Sequence, residues 1–188
     1  MLEVEQKYRV SDSDELADRL IEIGATAGTA EQHADTYYRH PCRDFVQTGE
    51  AFRVRRINEV ASVTYKGPKL NVADETLKAR EEIEWCLAPG DSDGTQMERL
   101  LVALGFEAVT TVAKQRVSYR WPDNHDSASF TVTIDCVEKV GTFAEIEQLV
   151  ETSDGLDSAA TEIATLANQL NLSQRVRESY LELLLNVL

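Results

Sequence analysis

Charged residues recur at every second position near the start of the chain, in the stretch Leu2-Glu-Val-Glu-Gln-Lys-Tyr-Arg-Val10. Successive side chains of a β-strand point to opposite faces, so this spacing places Glu3, Glu5 and Lys7 together on one face. Two carboxylates and an ammonium group are therefore aimed at the same place. The alternative for this stretch taken alone is the solvated face of a half-buried strand.

The same alternation of apolar and charged side chains returns in further stretches that are predicted to be strands. Each stretch adds like charges to one face, so that some strands present acids and others present bases. The basic positions are Arg53, Arg55, Lys66, Arg80, Lys114 and Arg116, and the acidic positions are Glu82, Glu84, Asp135, Glu145 and Glu147. The pattern predicts two functional walls that face each other.

A triphosphate would require both kinds of wall. Its oxygens favour Arg and Lys, because the guanidinium fork matches phosphate geometry and the ammonium supplies a compact charge. Hard divalent ions such as magnesium favour carboxylates, together with water and the phosphates of the substrate. A closed antiparallel barrel could hold these groups inside and bury its apolar outer face against helices.

These residues resemble a known family. Glu3-Val-Glu-Gln-Lys7 resembles the ExExK signature of the CYTH superfamily of triphosphate tunnel metalloenzymes, which includes class IV adenylate cyclases and thiamine triphosphatases. Asp35-Thr-Tyr-Tyr-Arg-His-Pro41 and Ser179-Tyr-Leu-Glu-Leu183 are most similar to the cyclase-type branch. The resemblance covers most of the chain in the same order, through Arg53-Val-Arg55, Thr64-Tyr-Lys-Gly-Pro68, Arg80-Glu-Glu-Ile-Glu84, Lys114-Gln-Arg116, Asp135 and Phe143-Ala-Glu-Ile-Glu147.

The resemblance implies an α+β fold in which an eight-stranded antiparallel β-barrel carries helices on its outside, as a single domain over residues 1–188. Its tunnel would bind a triphosphate with Mg²⁺ or Mn²⁺. The implied metal ligands are Glu3, Glu5, Glu145 and Glu147, with Asp135 as a further ligand or a group that supports one. The implied phosphate contacts are Lys7, Arg53, Arg55, Lys66, Arg80, Lys114 and Arg116. Catalytic roles fall to Lys7, which could orient or deprotonate the nucleophile, and to Glu82 and Glu84, which could assist the metal or pair with the basic wall.

Three functions follow from this resemblance. The first is an adenylate cyclase that converts ATP to cyclic AMP and pyrophosphate. The second is a triphosphatase that acts on thiamine triphosphate, tripolyphosphate or a nucleoside triphosphate. The third is a non-catalytic sensor of nucleotides or polyphosphate, which intact carboxylate positions argue against, because phosphate binding alone would need only the basic wall.

Composition limits the environment and the partners of the chain. Its 188 residues, 43% of them hydrophobic, suit one domain with a substantial core. No membrane span or signal peptide is evident, so the cytoplasm is the expected location. The net charge of −14 favours a halophilic source, because an acidic surface stays hydrated at high salt, and it argues against nucleic acid as a partner.

Apolar periodicity predicts helices between the strands. The first runs from the capping residue Asp12 to Gly24. The last follows a Ser173 cap and either packs on the barrel or forms a homodimer contact. The apolar faces of the other two contain Met97, Leu100, Leu101 and Leu104 in one, and Ile163, Leu166, Ala167 and Leu170 in the other.

The segment of residues 67–76 is predicted to be a loop. Lys69 and Lys78 lie at or beside it and could close over a nucleotide, with a solvated turn as the alternative. His40 lies in another loop, and its two interpretations are a structural role and a substrate contact.

Overall fold

The alternating stretches form strands of one antiparallel sheet in the computed structural model, which describes residues 2–70, 78–123, 125 and 129–188. The strands are β1 (Leu2–Arg9), β2 (Thr26–Ala27), β3 (Glu31–Arg39), β4 (Ala51–Ile57), β5 (Val60–Lys66), β6 (Lys78–Cys86), β7 (Glu107–Arg120), β8 (Phe130–Val137), β9 (Gly141–Val150) and β10 (Arg175–Val176).

Eight of these strands close into a barrel. Their order is β1, β6, β5, β4, β3, β7, β8 and β9, and β9 pairs back with β1 along the whole length of β1. The short strands β2 and β10 add to β7 and β1. Closure leaves no sheet edge among the eight, and it turns one face of every strand toward a common interior. The predicted eight-stranded antiparallel barrel is confirmed.

Five helices accompany the barrel in the described part of the chain. They are α1 (Ser13–Glu22), α2 (Phe45–Thr48), α3 (Thr95–Ala103), α4 (Leu156–Gln169) and α5 (Tyr180–Leu185). The side chain of Asp12 caps α1 by accepting hydrogen bonds from the backbone N–H groups of Asp14 and Glu15. The predicted first helix is therefore confirmed. None of the described helices is both long enough and apolar enough to span a bilayer.

The main core lies between the barrel and α1 and α4. Val4, Val132 and Ile146 on the outer face of the sheet are fully buried, and Leu20 and Ile163 from the two helices join them. Burying each such aliphatic side chain contributes about 1.5–3 kcal/mol. All four residues of the apolar face predicted for α4 are buried, so that face is confirmed.

The helix α3 has the predicted position but only part of the predicted face. Leu101 is buried against β4 and β5, whereas Leu100 and Leu104 are exposed. Leu101 and Met97 form the face that meets the sheet, and Leu104 lies beyond the last helical residue. The chain approaches the sheet closely just before the helix, where Gly94 has a φ of 74° and an added Cβ would lie 2.8 Å from Cβ of Ala61.

The last helix begins later than predicted. Ser179 caps α5 in a reciprocal capping box with Glu182, whereas the predicted cap was Ser173. The residues after Ser173 are extended because Arg175 and Val176 pair with β1 as β10. Tyr180 and Leu184 of α5 are buried against the barrel, as one of the two predictions for this helix required.

Candidate active site

The barrel contains a cavity of about 960 Å³ that opens between α2 and α5. Every predicted catalytic, phosphate-binding and metal-binding residue except Asp135 lines it. These residues are Glu3, Glu5, Lys7, Arg53, Arg55, Lys66, Arg80, Glu82, Glu84, Lys114, Arg116, Glu145 and Glu147. They come together because they occupy alternate positions on the inner face of the closed sheet.

Three carboxylates form a cluster within this cavity. Glu3, Glu5 and Glu147 each offer one oxygen, and these oxygens all lie within 4.8 Å of one another. Burial raises the pKa of Glu3 to about 8, with Lys66 opposing it, and burial also raises the pKa of Glu147. A divalent cation would relieve the repulsion among the ionised groups, and a few carboxylates at this spacing are the donor set that Mg²⁺ and Mn²⁺ accept. The residues therefore fit the predicted metal.

Glu145 lies beside this cluster and contacts cations. One of its oxygens is 3.4 Å from Nζ of Lys7, and the other is 2.7 Å from a guanidinium nitrogen of Arg116. Burial alone would raise the pKa of Glu145, but the charges of Lys7 and Arg116 together hold the pKa below its usual value. Glu145 is thus an ionised group at the junction of the acidic and basic walls.

Asp135 is completely buried behind the basic wall. Arg116 donates to both of its oxygens, at 2.7 and 2.6 Å, and Nζ of Lys114 donates at 2.9 Å. The hydroxyl of Tyr180 donates to the same oxygen as Lys114, also at 2.9 Å. Oδ2 of Asp135 therefore accepts three of these four hydrogen bonds, and Oδ1 accepts one. In this arrangement Asp135 supports the cations that line the cavity.

Asp35 plays the same part on β3, which is separated from the β8 strand of Asp135 by β7 alone. Arg55 forms a two-pronged pair with it, with both distances 2.8 Å, and Arg53 lies 3.2 Å away. Burial alone would raise the pKa of Asp35, but Arg53 and Arg55 hold it far below its usual range. Bidentate pairing fixes the plane of a guanidinium group, so Asp35 orients the arginines that face the cavity.

Acids also neutralise the cations that line the cavity on β5 and β6. Nζ of Lys66 is 2.9 Å from Glu3, and Nζ of Lys78 is 3.1 Å from Glu5. A metal ion that drew Glu3 and Glu5 toward itself would make both lysines more available to phosphate oxygens. Lys66 would keep its contact with Glu82 at 2.5 Å. The acidic cluster and the basic wall are therefore linked through these pairs.

Two arginine donors in the cavity have no hydrogen-bond partner among the described residues. Nε of Arg53 and Nε of Arg80 are buried and make no hydrogen bond to any described residue. A buried donor without a partner carries a desolvation cost of about 1–3 kcal/mol. Oxygen atoms of a bound anion would satisfy both donors.

Two of the cavity ammonium groups have weakened basicity. Burial lowers the pKa of Lys7 to about 8, against the opposing effect of Glu145. Burial, together with the neighbouring Arg116, lowers the pKa of Lys114 to about 8. Either lysine could exchange a proton near neutral pH, and Lys7 is the one predicted to act on the nucleophile.

The two predicted catalytic glutamates differ in their surroundings. Glu82 is partly buried between Lys66 and Arg53, and the hydroxyl of Thr64 donates to Glu84 at 2.6 Å. Burial alone would raise the pKa of Glu82, but a hydrogen bond from Glu3 and the charge of Lys66 lower it to about 2. Glu82 therefore remains ionised and pairs with the basic wall, one of its two predicted roles.

Asp35 and Tyr180 were not predicted as site residues, and Lys78 was predicted only as a residue that could close over a nucleotide from the loop or lie in a solvated turn. Lys78 was predicted to lie in a loop or solvated turn, and this was wrong because it is buried as the first residue of β6. Its alternation with Arg80 and Glu82 could have revealed it. Asp35 likewise alternates with Tyr37 on β3, whereas Tyr180 follows a helical apolar pattern that carries no indication of the site. Residues 71–76 of the predicted loop lie outside the described residues.

Where α2 and α5 border the cavity, apolar side chains line it beside charged ones such as Arg43, Asp44 and Glu182. Phe45, Val46, Val109, Leu181 and Leu185 surround the opening, and Val46 is 90% exposed. We call this set the apolar mouth. It could contact an organic group whose phosphates extend into the charged interior.

His40 belongs to the loop beside this mouth. Its Nδ1 accepts a hydrogen bond from the backbone N–H of Cys42 at 3.0 Å, and its ring packs edge-on against Phe106 with centroids 5.0 Å apart. Arg43 pairs with the buried Glu50 at the end of the same loop. These contacts give His40 a structural role in holding the loop.

Comparison with known proteins agrees with this geometry. A protein of Methanocaldococcus jannaschii named "Putative adenylate cyclase MJ0240" is 33% identical over 185 residues, which cover 97% of this chain and 98% of that protein. Adenylate cyclase CyaB of Aeromonas hydrophila is 26% identical over 180 residues, covering 94% of this chain and 84% of that protein.

Among solved structures, the PH1819 protein of Pyrococcus horikoshii OT3 superposes with a TM-score of 0.83 at 37% identity, and 98% of each chain is covered. The family model for the CYTH domain matches residues 1–180. That match includes all the strands of the barrel and the residue Tyr180 at the start of α5. The chain therefore belongs to the CYTH domain family.

Proposed function

We propose that this protein is a Mg²⁺- or Mn²⁺-dependent adenylate cyclase that converts ATP to cyclic AMP and pyrophosphate. One observation carries the proposal: a single cavity combines the carboxylate cluster of Glu3, Glu5 and Glu147 with a basic wall and an apolar mouth. A substrate that matches all three parts has an organic group, a chain of phosphates and a bound divalent cation.

The reaction is an in-line displacement at the α-phosphorus. The 3′-oxygen of the ribose forms a bond to this phosphorus, the bond to the bridging oxygen of the β-phosphate breaks, and pyrophosphate leaves. Glu3, Glu5 and Glu147 would hold the metal, which when bound lowers the pKa of the attacking hydroxyl and offsets phosphate charge.

The basic wall stabilises the negative charge that grows on the leaving group. Arg53 and Arg80 donate their unpaired Nε–H groups to phosphate oxygens, and Asp35 holds Arg53 and Arg55 in a fixed orientation before the substrate arrives. Donors that are already oriented need little reorganisation during the reaction. Lys7, with its lowered pKa, orients the hydroxyl, accepts its proton or contacts a phosphate.

The names of the relatives support the choice of adenylate cyclase. The M. jannaschii and A. hydrophila proteins both carry that name, and the alignments extend over nearly the whole of this chain. ATP also suits the apolar mouth, where Phe45 and Val46 can contact a planar base.

A triphosphatase is the second candidate, and the position of the metal cluster relative to α5 favours it. Along β1, Lys7 contacts the first residue of α5, whereas Glu5 and Glu3 lie two and four residues farther along the strand from that contact. A substrate with its organic group at the mouth could place its terminal phosphorus beside these carboxylates. Water would then attack that phosphorus and release inorganic phosphate.

Product analysis distinguishes these functions. Purified protein is incubated in high KCl with Mg²⁺ or Mn²⁺ and with ATP, thiamine triphosphate or tripolyphosphate in turn. We expect cyclic AMP and pyrophosphate from ATP. Release of inorganic phosphate would favour the triphosphatase, and tight triphosphate binding without any product would favour a sensor.

A further inference from the structure

Tyr180 joins the C-terminal helix to the inside of the barrel. It is the first residue of α5, it is 7% exposed, and its ring packs against Phe143 with centroids 5.3 Å apart. Nζ of Lys7 lies 3.8 Å from the centroid of the Tyr180 ring, and Nζ of Lys114 lies 4.9 Å from it. One aromatic ring thus contacts two ammonium groups from different strands.

We propose that Tyr180 is a positioning residue that holds Lys7 and Lys114 in place for phosphate binding, so that α5 forms part of the active site. This inference rests on the proposed function, because it assigns a task to residues that would contact the triphosphate. Tyr180 itself acts through the two lysines.

The surroundings of Lys7 support this role. Nζ of Lys7 donates to the backbone carbonyl of Glu178 at 3.0 Å and lies 3.4 Å from Glu145. The carbonyl and the Tyr180 ring both come from the segment that begins α5. A lysine side chain has four flexible carbons, so without these contacts its ammonium group would sample other positions.

The hydroxyl of Tyr180 adds a second contact with the basic wall. It donates to Oδ2 of Asp135, which also accepts from Lys114 and Arg116. The ring therefore contacts Lys7 and Lys114 directly, and the hydroxyl contacts Asp135, which in turn pairs with Lys114 and Arg116. The ring is expected to contribute more than the hydroxyl, because it contacts both ammonium groups, whereas Asp135 keeps its other partners when the hydroxyl is removed.

The test measures how firmly the two lysines are held. The wild-type protein and the variants Tyr180→Phe and Tyr180→Leu are treated briefly with an amine-modifying reagent, and modification of Lys7 and Lys114 is followed by peptide mass spectrometry. We expect modification in Tyr180→Leu to be about tenfold faster than in the wild type. Tyr180→Phe retains the ring and should remain within about threefold of the wild type.

A matched control separates positioning from general loss of stability. Tyr119 is equally buried, at 6% exposed, but it lies in the outer core beneath α1, away from the cavity. Tyr119→Leu should lower the melting temperature without speeding modification of Lys7 or Lys114. Equal modification rates in Tyr180→Leu and the wild type would overturn the inference.

Tripolyphosphate binding by calorimetry, with Mg²⁺ present, tests the proposed function separately. Wild-type protein should bind, Tyr180→Leu should bind about tenfold more weakly, and Tyr119→Leu should bind as the wild type does. Failure of the wild type to bind would contradict the proposed function, while the modification rates would still decide whether Tyr180 positions the lysines. Binding that is equal or tighter in Tyr180→Leu would contradict the inference alone.

Discussion

Glu5 on β1 lies directly opposite Glu147 on β9, as Cα partners in the register that closes the barrel. Cross-strand partners point to the same face, so the two carboxylates meet inside the cavity. Two like charges placed opposite each other destabilise a sheet unless a cation lies between them. Closure of the barrel and assembly of the carboxylate cluster therefore depend on the same strand pair.

Replacing either residue by glutamine should remove the metal site. We expect Glu5→Gln and Glu147→Gln each to weaken Mn²⁺ binding and to lower any metal-dependent activity by about 100-fold or more, because a neutral amide cannot offset the charge of the metal. Calorimetry with Mn²⁺ and the product assay measure the two effects. Glu81→Gln, on the exposed face of β6, is the matched control and should change neither.

Unchanged activity in both cavity variants, combined with loss of triphosphate binding in Arg55→Ala, would contradict a metal-dependent enzyme. That outcome would leave only the basic wall in use.

Lys78 should contribute to triphosphate binding although it was predicted only as a residue that could close over a nucleotide from the loop or lie in a solvated turn. It is 4% exposed and pairs with Glu5, so Lys78→Met removes a buried charge and leaves Glu5 without its nearest partner. We expect tripolyphosphate to bind about tenfold or more weakly to this variant, since buried charge pairs lose several kcal/mol on truncation.

Lys69→Met is the comparison for Lys78→Met. Lys69 is exposed at the edge of the same cavity, where solvent screens its charge. Its substitution should weaken tripolyphosphate binding less than that of Lys78, and the difference should grow as KCl is raised. If both substitutions weakened tripolyphosphate binding equally at high KCl, burial of the lysine would not determine its contribution to binding.

Asp35 should make the stability of the fold sensitive to acid. The pKa of Asp35 is held below its unfolded value, which is about 3.9. Its contribution is therefore fully present above about pH 4 and is lost as the pH falls from there toward the lower pKa of the folded state. The free energy of unfolding, measured with urea across this range, should fall accordingly.

The variant Asp35→Asn tests this assignment. It should lose about 3–5 kcal/mol at neutral pH, because two buried arginines lose their charged partner. The difference in the free energy of unfolding between the wild type and this variant should shrink as the pH falls below about 4. Asp18→Asn, at an exposed position of α1, should leave the pH dependence unchanged. A constant deficit across the range would contradict the role of Asp35.

Alternation along single strands was sufficient to predict most of the site. It placed Glu3, Glu5 and Lys7 on one face, and closure of the sheet brought that face together with the others. Alternation could not show which acid would meet which base, because pairing depends on strand order. Glu145 on β9, for example, contacts Lys7 on the neighbouring strand β1 and Arg116 on β7, which lies two strands away.

The helices show a second limit of prediction from sequence. The helical spacing of apolar residues correctly predicted that a helix, α5, lies near the end of the chain. It placed the start of this helix too early, because Arg175 and Val176 pair with β1 and keep the chain extended there. The same spacing predicted Tyr180 only as one of the apolar residues that pack this helix. Only the tertiary arrangement places its hydroxyl on Asp135 and its ring beside Lys7.

The acidic surface predicts a fold that becomes more stable as salt is added. The net charge is −14, and many of the basic residues are buried in the cavity, so the surface itself is still more acidic. Repulsion among exposed carboxylates is screened by salt, whereas the buried pairs are screened much less. We expect the free energy of unfolding to rise by roughly 1–2 kcal/mol between about 0.1 M and about 2 M KCl.

Charge reversal on α1 provides the control for this salt effect. Asp18 and Glu22 are both exposed, and Glu22 is the last residue of the helix, where a cation is favoured by the helix dipole. The double variant Asp18→Lys and Glu22→Lys should be more stable than the wild type at low KCl and should gain less from added salt. Urea unfolding at each KCl concentration measures both effects. An equal gain in the two proteins would mean that salt acts through preferential hydration or the hydrophobic effect, because surface repulsion predicts a smaller gain in the variant.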